Sequence, residues 1–331
     1  MSGSRMGVID RFRDRLPVGP ETPELTLGEG GTPLVRAERL SERLGVELWL
    51  KCEGLNPTAS FKDRGMVVAV AKALEEGVEG IVCASTGNTA ASAAAYGARA
   101  GLPAVVLHPA GAISAAKQAQ ARVAGARVLE VRGSFDDALR SCRELADRGL
   151  FSLVNSLNRY RIEGQKTAVF EIVEELGRVP DVLALPFGGG GNLCAYAKGF
   201  AEEGASPRVV AAQASERATT FASAIRIGQP AHAEEVDGLL AERRAEVVSV
   251  SESEIADAWL ELASREGVFC EPASAAGLAG LAHLALEPGS TVVCVLTGHG
   301  LKDTAAVDVL ETPAPAVVEP TVEAILAEVR S

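Results

Sequence analysis

The chain has 331 residues, 47% of them apolar, and a formal net charge of −12. That length can bury a sizeable core and supports two domains. The acids and bases are scattered, which excludes nucleic acid as the main partner, because phosphate backbones are held by basic patches; a small anionic ligand stays compatible with a local positive site.

The first 25 residues are charged, with Asp10, Arg11, Arg13, Asp14 and Arg15 close together, and read as a surface arm with a short helix. Gly28-Glu29-Gly30-Gly31-Thr32-Pro33-Leu34 suggests a phosphate loop at first sight. Pro33 lacks a backbone donor and no helical pattern follows at once, so the stretch reads as a structural turn. From Val46 strand and helix alternate. Apolar strand candidates are 46–52, 81–84, 104–108, 126–131, 151–154, 181–187, 208–213, 246–250 and 291–296. Helical patterns lie between many of them, at 66–76, 90–100, 115–124, 135–147, 166–175 and 253–266. Strands that are apolar along their length and separated by helices predict an α/β protein with mainly parallel sheets covered on both faces. Such sheets bind ligands at the carboxyl ends of their strands. Residues 311–320 hold three prolines and read as a linker. Val322, Ile325, Leu326 and Val329 return to helical spacing, which predicts a tail helix packed on the body or on a partner subunit.

Six cysteines occur without a CxxC pair, and four lie in apolar runs, so buried free thiols are expected. Four histidines show no metal-ligand spacing, so no metal is expected. No long apolar run suggests a membrane span. The reducing cytoplasm fits this set best.

Four stretches at strand ends carry polar chemistry. Asn56-Pro57-Thr58-Ala59-Ser60-Phe61-Lys62-Asp63-Arg64-Gly65 joins a strand to a helix; Asn-Pro marks a turn, and Thr or Ser can cap the helix. Lys62 then falls at the helix start, where the positive end of the dipole lowers an amine's pKa and favours attack on a carbonyl. A solvated lysine beside Asp63 is the plainer alternative. Ser85-Thr86-Gly87-Asn88-Thr89 opens an Ala-rich helix and offers amides and hydroxyls to an anion, or simply caps that helix. Phe187 precedes Gly188, Gly189, Gly190, Gly191 and Asn192, whose amides can close around a phosphate without Cβ interference. Leu193 excludes the dinucleotide fingerprint, and no lysine follows as in a Walker loop. Gly164-Gln165-Lys166-Thr167 fails as a P-loop too. Arg159, Arg161 and Lys166 by themselves read as a solvated basic face. Thr297 ends the apolar strand 291–296 and opens a glycine turn.

The stretch 56–65 resembles the cofactor-lysine segment NPTGSFKDRG of threonine synthases, within the fold-type-II enzymes that use pyridoxal phosphate, with Ala59 in place of glycine. The resemblance runs from about Ile9 to Thr304. It implies a tryptophan synthase β-like fold of two three-layer α/β domains. Residues 1–65 and 160–331 would form the larger, cofactor-binding one, and 66–159 a smaller mobile one. It implies pyridoxal 5'-phosphate as cofactor, carried by Lys62 as a Schiff base. Phe61, Asn88, the glycines 188–191, Asn192 and Thr297 complete that site, with Asn88 near the ring hydroxyl and Thr297 at the ring nitrogen. It further implies that Ser85, Thr86, Gly87, Asn88 and Thr89 hold the substrate carboxylate, and that Asn155, Ser156 and Arg161 hold its phosphate. The run from Asn155 to Thr167 follows the family's NSVNPxRxEGQKT, with Arg159 for proline. Residues 188–192 follow GNAGN, with Gly189 for Asn. Leu296 to Asp303 follows TGxGLKD, and Phe269 to Ala275 follows F-x-EPASAA at the back of the site. The region after Asn192 and the segment Ser215–Phe221 are shorter than the pattern, and 111–120 departs from it.

The implied reaction converts O-phospho-L-homoserine and water to L-threonine and phosphate, in a homodimer acting on a small amino acid. Two alternatives are a paralogue that carries out elimination or replacement on another amino acid, such as a dehydratase, and a binding protein without catalysis.

Overall fold

The computed structural model describes residues 6–111, 115–310 and 315–330. Ten strands occur among them: β1 (Leu34–Arg36), β2 (Glu47–Cys52), β3 (Gly80–Ala84), β4 (Ala104–Pro109), β5 (Arg127–Val131), β6 (Phe151–Leu153), β7 (Val182–Pro186), β8 (Arg208–Ala214), β9 (Glu246–Val250) and β10 (Thr291–Leu296). The helices are α1 (Val8–Arg11), α2 (Glu38–Leu44), α3 (Lys62–Glu76), α4 (Asn88–Ala100), α5 (Ala115–Val123), α6 (Phe135–Asp147), α7 (Arg159–Leu176), α8 (Gly191–Glu202), α9 (Ala233–Ala241), α10 (Glu252–Glu266), α11 (Pro272–Leu281) and α12 (Val322–Val329).

Two sheets result. One has the order β1-β2-β10-β7-β8-β9, the other β5-β4-β3-β6. All pairings are parallel except β1 on β2. The apolar strands alternate between two cores, as burial on both faces requires. Leu183, Leu185, Val293 and Val295 face a central core that also takes Ile81 and Cys83 from the smaller sheet. Val182, Ala184, Val292 and Cys294 face a second core with Trp259 of α10 and Leu278 of α11. Val82 and Ala84 face a third with Ala138 and Cys142 of α6. Helices α3 and α7 lie in the central layer between the sheets.

All nine strands expected from apolar runs are present. The sequence reading missed β1, a three-residue edge strand created by its antiparallel register on β2, Leu34 opposite Lys51. The N-terminal arm is not a surface feature. Val8, Ile9, Phe12 and Leu16 are buried in the central core, beneath a charged outer side. The tail helix α12 forms as expected, and none of its residues is buried. Residues 311–314 of the expected linker and 112–114 of the divergent segment lie outside the described residues.

A buried ionic network fixes the start of α3. Arg64 donates from Nε and Nη2 to both carboxylate oxygens of Glu53, each at 2.7 Å, and to Glu171 at 2.6 and 2.8 Å. Lys51 adds an ion pair to Glu171 at 3.0 Å. Burial by itself would push the Glu171 carboxyl up, but Arg64 and Lys51 hold it well below the usual carboxylate range. Because the folded-state value is depressed, the stabilisation is complete above the ordinary unfolded value and is lost as pH falls below it. Glu171→Gln should leave two buried cations under-compensated and lower stability by about 3–5 kcal/mol at neutral pH. Urea unfolding of wild type and variant from pH 7 down to pH 4 measures this, and the gap between the curves should narrow toward the acid end.

Candidate active site

Lys62 is the first residue of α3, as the sequence suggests, but neither Thr58 nor Ser60 caps the helix; Phe61 occupies the cap position without a side-chain bond. Thr58 is engaged by Asp63 instead, through its amide at 2.6 Å and its hydroxyl at 2.5 Å. The other donor to Asp63 is Ser92 of α4, at 2.6 Å. Asp63 thus ties the lysine turn to the helix that begins at Asn88. Burial raises its carboxyl to about 6 against those hydrogen bonds. The Lys62 amine lies 4.2 Å from the Phe61 ring centroid and is lowered to about 7. Burial is the main cause and the Arg161 charge the second, while Glu271 acts in the opposite direction. The helix end is where the sequence puts it, but desolvation leads the shift.

The other carboxyl ends converge on this turn. Phe61 N donates to Thr297 O at 3.0 Å, which seats the end of β10 beside Lys62. The Thr297 hydroxyl lies 3.0 Å from Ser274 Oγ, which also accepts from Gly298 N at 3.0 Å. Asn88 donates from Nδ2 to Glu271 at 2.9 and 3.2 Å. Ser85 Oγ accepts from Gly87 N and Ala90 N, each at 3.2 Å, so it shapes the turn. Thr86, Asn88 and Thr89 are partly exposed at the helix start, where first-turn amides have no partner within the helix.

At the glycine run, Gly190 is left-handed, with φ +87°, and caps α8. A Cβ at Gly189 would meet only Ile227 Cδ1, at 3.7 Å, so this wall of the cup is open. Both amide atoms of Asn192 are buried without a partner. Arg161 is fully buried; its Nη1 donates to Val154 O at 2.8 Å, while Nε and Nη2 have no partner. Burial lowers the guanidinium to about 10, so it stays charged at neutral pH.

The residues near Arg161 in the chain make contacts of their own. Asn155 spends its side chain on Ala84, accepting from the amide at 2.9 Å and donating to the carbonyl at 2.8 Å, and so joins β3 to the segment after β6. Arg159 is exposed and donates to Tyr160 Oη at 2.9 Å, away from the glycine run. Ser156 is only partly buried, and its carbonyl accepts from His232 at 2.9 Å. Sequence reasoning passed over Ser274 and His232. Ser274 was visible inside the matching EPASAA run, whereas His232 has no local signal. Lys302 is a third: its ammonium donates to Thr58 O at 3.0 Å and to Gln120 of α5 at 2.7 Å, joining the lysine turn to the smaller sheet's helices.

The arrangement suits an aldehyde cofactor with a phosphate arm. A lysine of lowered pKa stands beside the end of β10, and a glycine cup with an unpartnered asparagine opens a helix. The chain matches the family of pyridoxal-phosphate-dependent enzymes over residues 25–298 and belongs to it. It is 52% identical over 318 residues to a threonine synthase of Halalkalibacterium halodurans, covering 90% of each chain. A threonine synthase of Mycobacterium leprae is 50% identical over 319 residues, covering 90% of this chain and 89% of its own. A solved cysteine synthase from Entamoeba histolytica superposes with a TM-score of 0.75 at 20% identity, over 87% of this chain and 90% of that one, a likeness of fold. The cofactor and the fold read from the motifs therefore hold. None of the described helices is long and apolar enough to cross a membrane.

The lowered amine gives a signed expectation. Covalent capture of pyridoxal phosphate by the apoprotein needs neutral Lys62, so its rate should rise with pH through about 7 and level off above. Stopped-flow absorbance across pH 6–9 measures it. Lys62→Ala should give no borohydride-fixed adduct at any pH; an adduct on another lysine would remove Lys62 from the role.

Proposed function

We propose that the enzyme is a threonine synthase that converts O-phospho-L-homoserine and water to L-threonine and phosphate. One observation carries the substrate reading beyond the likeness to its relatives. Arg161 is a fully buried cation with two unpartnered donors, close enough to Lys62 to lower its pKa. A buried charge without a partner is unfavourable, and a planar fork of donors suits a phosphate. A dehydratase acting on an unphosphorylated amino acid has no use for it.

When bound, pyridoxal phosphate supplies an electron sink for negative charge developing at the substrate carbons. Lys62 holds the cofactor aldehyde at rest. Freed by the substrate amine, and with a pKa near 7, it takes and returns protons at Cα and Cβ. The Thr297 hydroxyl, oriented by Ser274, would hold the ring nitrogen. Being neutral, it would leave that nitrogen less protonated than a carboxylate would. Asn88, oriented by Glu271, would meet the ring hydroxyl. Residues 188–191 and Asn192 would hold the cofactor phosphate. The turn 85–89 receives the substrate carboxylate on its helix-start amides. Arg161 and Ser156 receive the substrate phosphate and stabilise it as it leaves from Cγ, before water adds at Cβ.

The smaller sheet, within residues 66–159, would move against the rest to admit substrate and exclude water. Unpaired, mostly buried thiols support a reducing cytoplasm. The exposed apolar side chains of α12 support a homodimer.

Turnover of O-phosphohomoserine, serine, threonine and O-phosphoserine, with products identified by mass, tests the reading; only the first should yield threonine. Arg161→Ala should lower kcat/KM for it by about 2–4 kcal/mol, roughly 30- to 1000-fold. Arg159→Ala, whose side chain rests on Tyr160, is the control and should change it little. An unchanged kcat/KM in Arg161→Ala would hand the lead to elimination or replacement on another amino acid.

A further inference from the structure

The glycine run has little steric preference of its own, and its peptides can flip cheaply. Something else must aim its N–H groups. In a trans peptide the C=O and the following N–H lie in one plane and point in opposite directions, and no described peptide bond is cis. Fixing the carbonyls of Gly188 and Gly189 therefore fixes the N–H groups of Gly189 and Gly190.

Both carbonyls are held, and both holders come from residues 215–232. Arg217 donates from Nη2 to Gly188 O at 3.0 Å. Its remaining donors fix it in place: Nε bonds Ile227 O at 3.0 Å and Nη1 bonds Gln213 Oε1 at 3.1 Å. The guanidinium also lies 5.2 Å from the Phe187 ring centroid. His232 donates its backbone N–H to Gly189 O at 3.2 Å. His232 is 5% exposed, and its ring backs the cup, 3.3 Å from where a Cβ on Gly191 would lie. The ring donates from Nε2 to Ser156 O at 2.9 Å, and Nδ1 lies 3.4 Å from Glu235 Oε1. The cup of the larger sheet is thereby braced against the segment leading from β6 to α7.

We propose that Arg217 and His232 are positioning residues for the cofactor phosphate. Arg217 pins the Gly188 peptide, and the His232 ring braces the Gly189–Gly191 backbone against Ser156, so that the amides point into the cup before the phosphate arrives. This rests on the assignment of residues 188–192 to the cofactor phosphate and is independent of which amino acid is converted.

The test compares two aldehydes on the apoprotein. Pyridoxal bonds Lys62 as pyridoxal 5'-phosphate does but lacks the phosphate, so the ratio of their dissociation constants isolates the cup. Arg217→Ala should reduce that ratio tenfold or more and shift the phosphorus NMR resonance of the bound cofactor. Arg217→Lys should recover part of it, because one donor returns. His232→Ala should reduce the ratio at least threefold, and His232→Gln, whose amide can still donate to Ser156 O, should restore it. The proposal is overturned if the ratio in Arg217→Ala and His232→Ala stays within twofold of wild type. It is equally overturned if affinity for both aldehydes falls together, since that reports a general loss of structure. Failure of the wild type to convert O-phosphohomoserine would refute the substrate reading and leave this ratio as it is.

Discussion

Two glycines let helices α3 and α7 touch backbone to backbone, and the active site depends on that crossing. A Cβ on Gly164 would lie 2.7 Å from Gly65 Cα and collide with the Arg64 carbonyl, and one on Gly65 would run into Arg161. Neither glycine has a left-handed φ; the requirement is close approach, not turning. The crossing falls in the first turns of both helices. It therefore places Lys62, three residues before Gly65, near Arg161, three residues before Gly164. Two cations that would avoid one another in water are held together by the packing of the chains that carry them.

The same crossing separates two populations of buried charge. Arg64 and Lys51 are matched by Glu53 and Glu171, with short hydrogen bonds to both carboxylates, and form a structural unit. Lys62 and Arg161 are not matched in that way. Burial lowers both, and the Arg161 charge lowers Lys62 further. A desolvated cation without a full complement of partners is costly to the fold. Anions arriving with cofactor and substrate supply what the protein withholds. Asp63 stands between the populations: it faces the site by position, but its bonds to Thr58 and Ser92 are spent on holding the lysine turn against α4.

Two departures from the family pattern fall at the site. Ala59 takes the place of a glycine and has a left-handed φ of +66°. A residue with a Cβ is strained there by about 1–2 kcal/mol. The turn is held by its surroundings, since Ala59 N donates to Asn56 O at 2.8 Å and Ala59 O accepts from His299 N at 3.0 Å. At Gly189 the missing side chain leaves an open wall, and Arg159 does not reach across to fill it.

What the sequence alone determined is the set of parts. The central strands, buried on both faces, are apolar throughout, and with the partly exposed outer strands nine stood out as runs whose carboxyl ends marked where polar residues gather. The motif around Lys62 was specific enough to bring cofactor and fold with it. What only the tertiary structure decided are relations between residues far apart in the chain. Strand β1 exists because β2 offers it a register. The arm at Val8–Leu16 is buried because a core built from distant parts of the chain receives its apolar side, Phe12 on Phe170 at 5.5 Å. Asn155 serves Ala84, while Arg217 and His232 serve a glycine run that precedes them by tens of residues. Periodicity and local motifs encode which face of an element is buried. They carry no information about which distant hydrogen-bonding group that face will meet, because that depends on how the sheets and their crossing helices close upon one another.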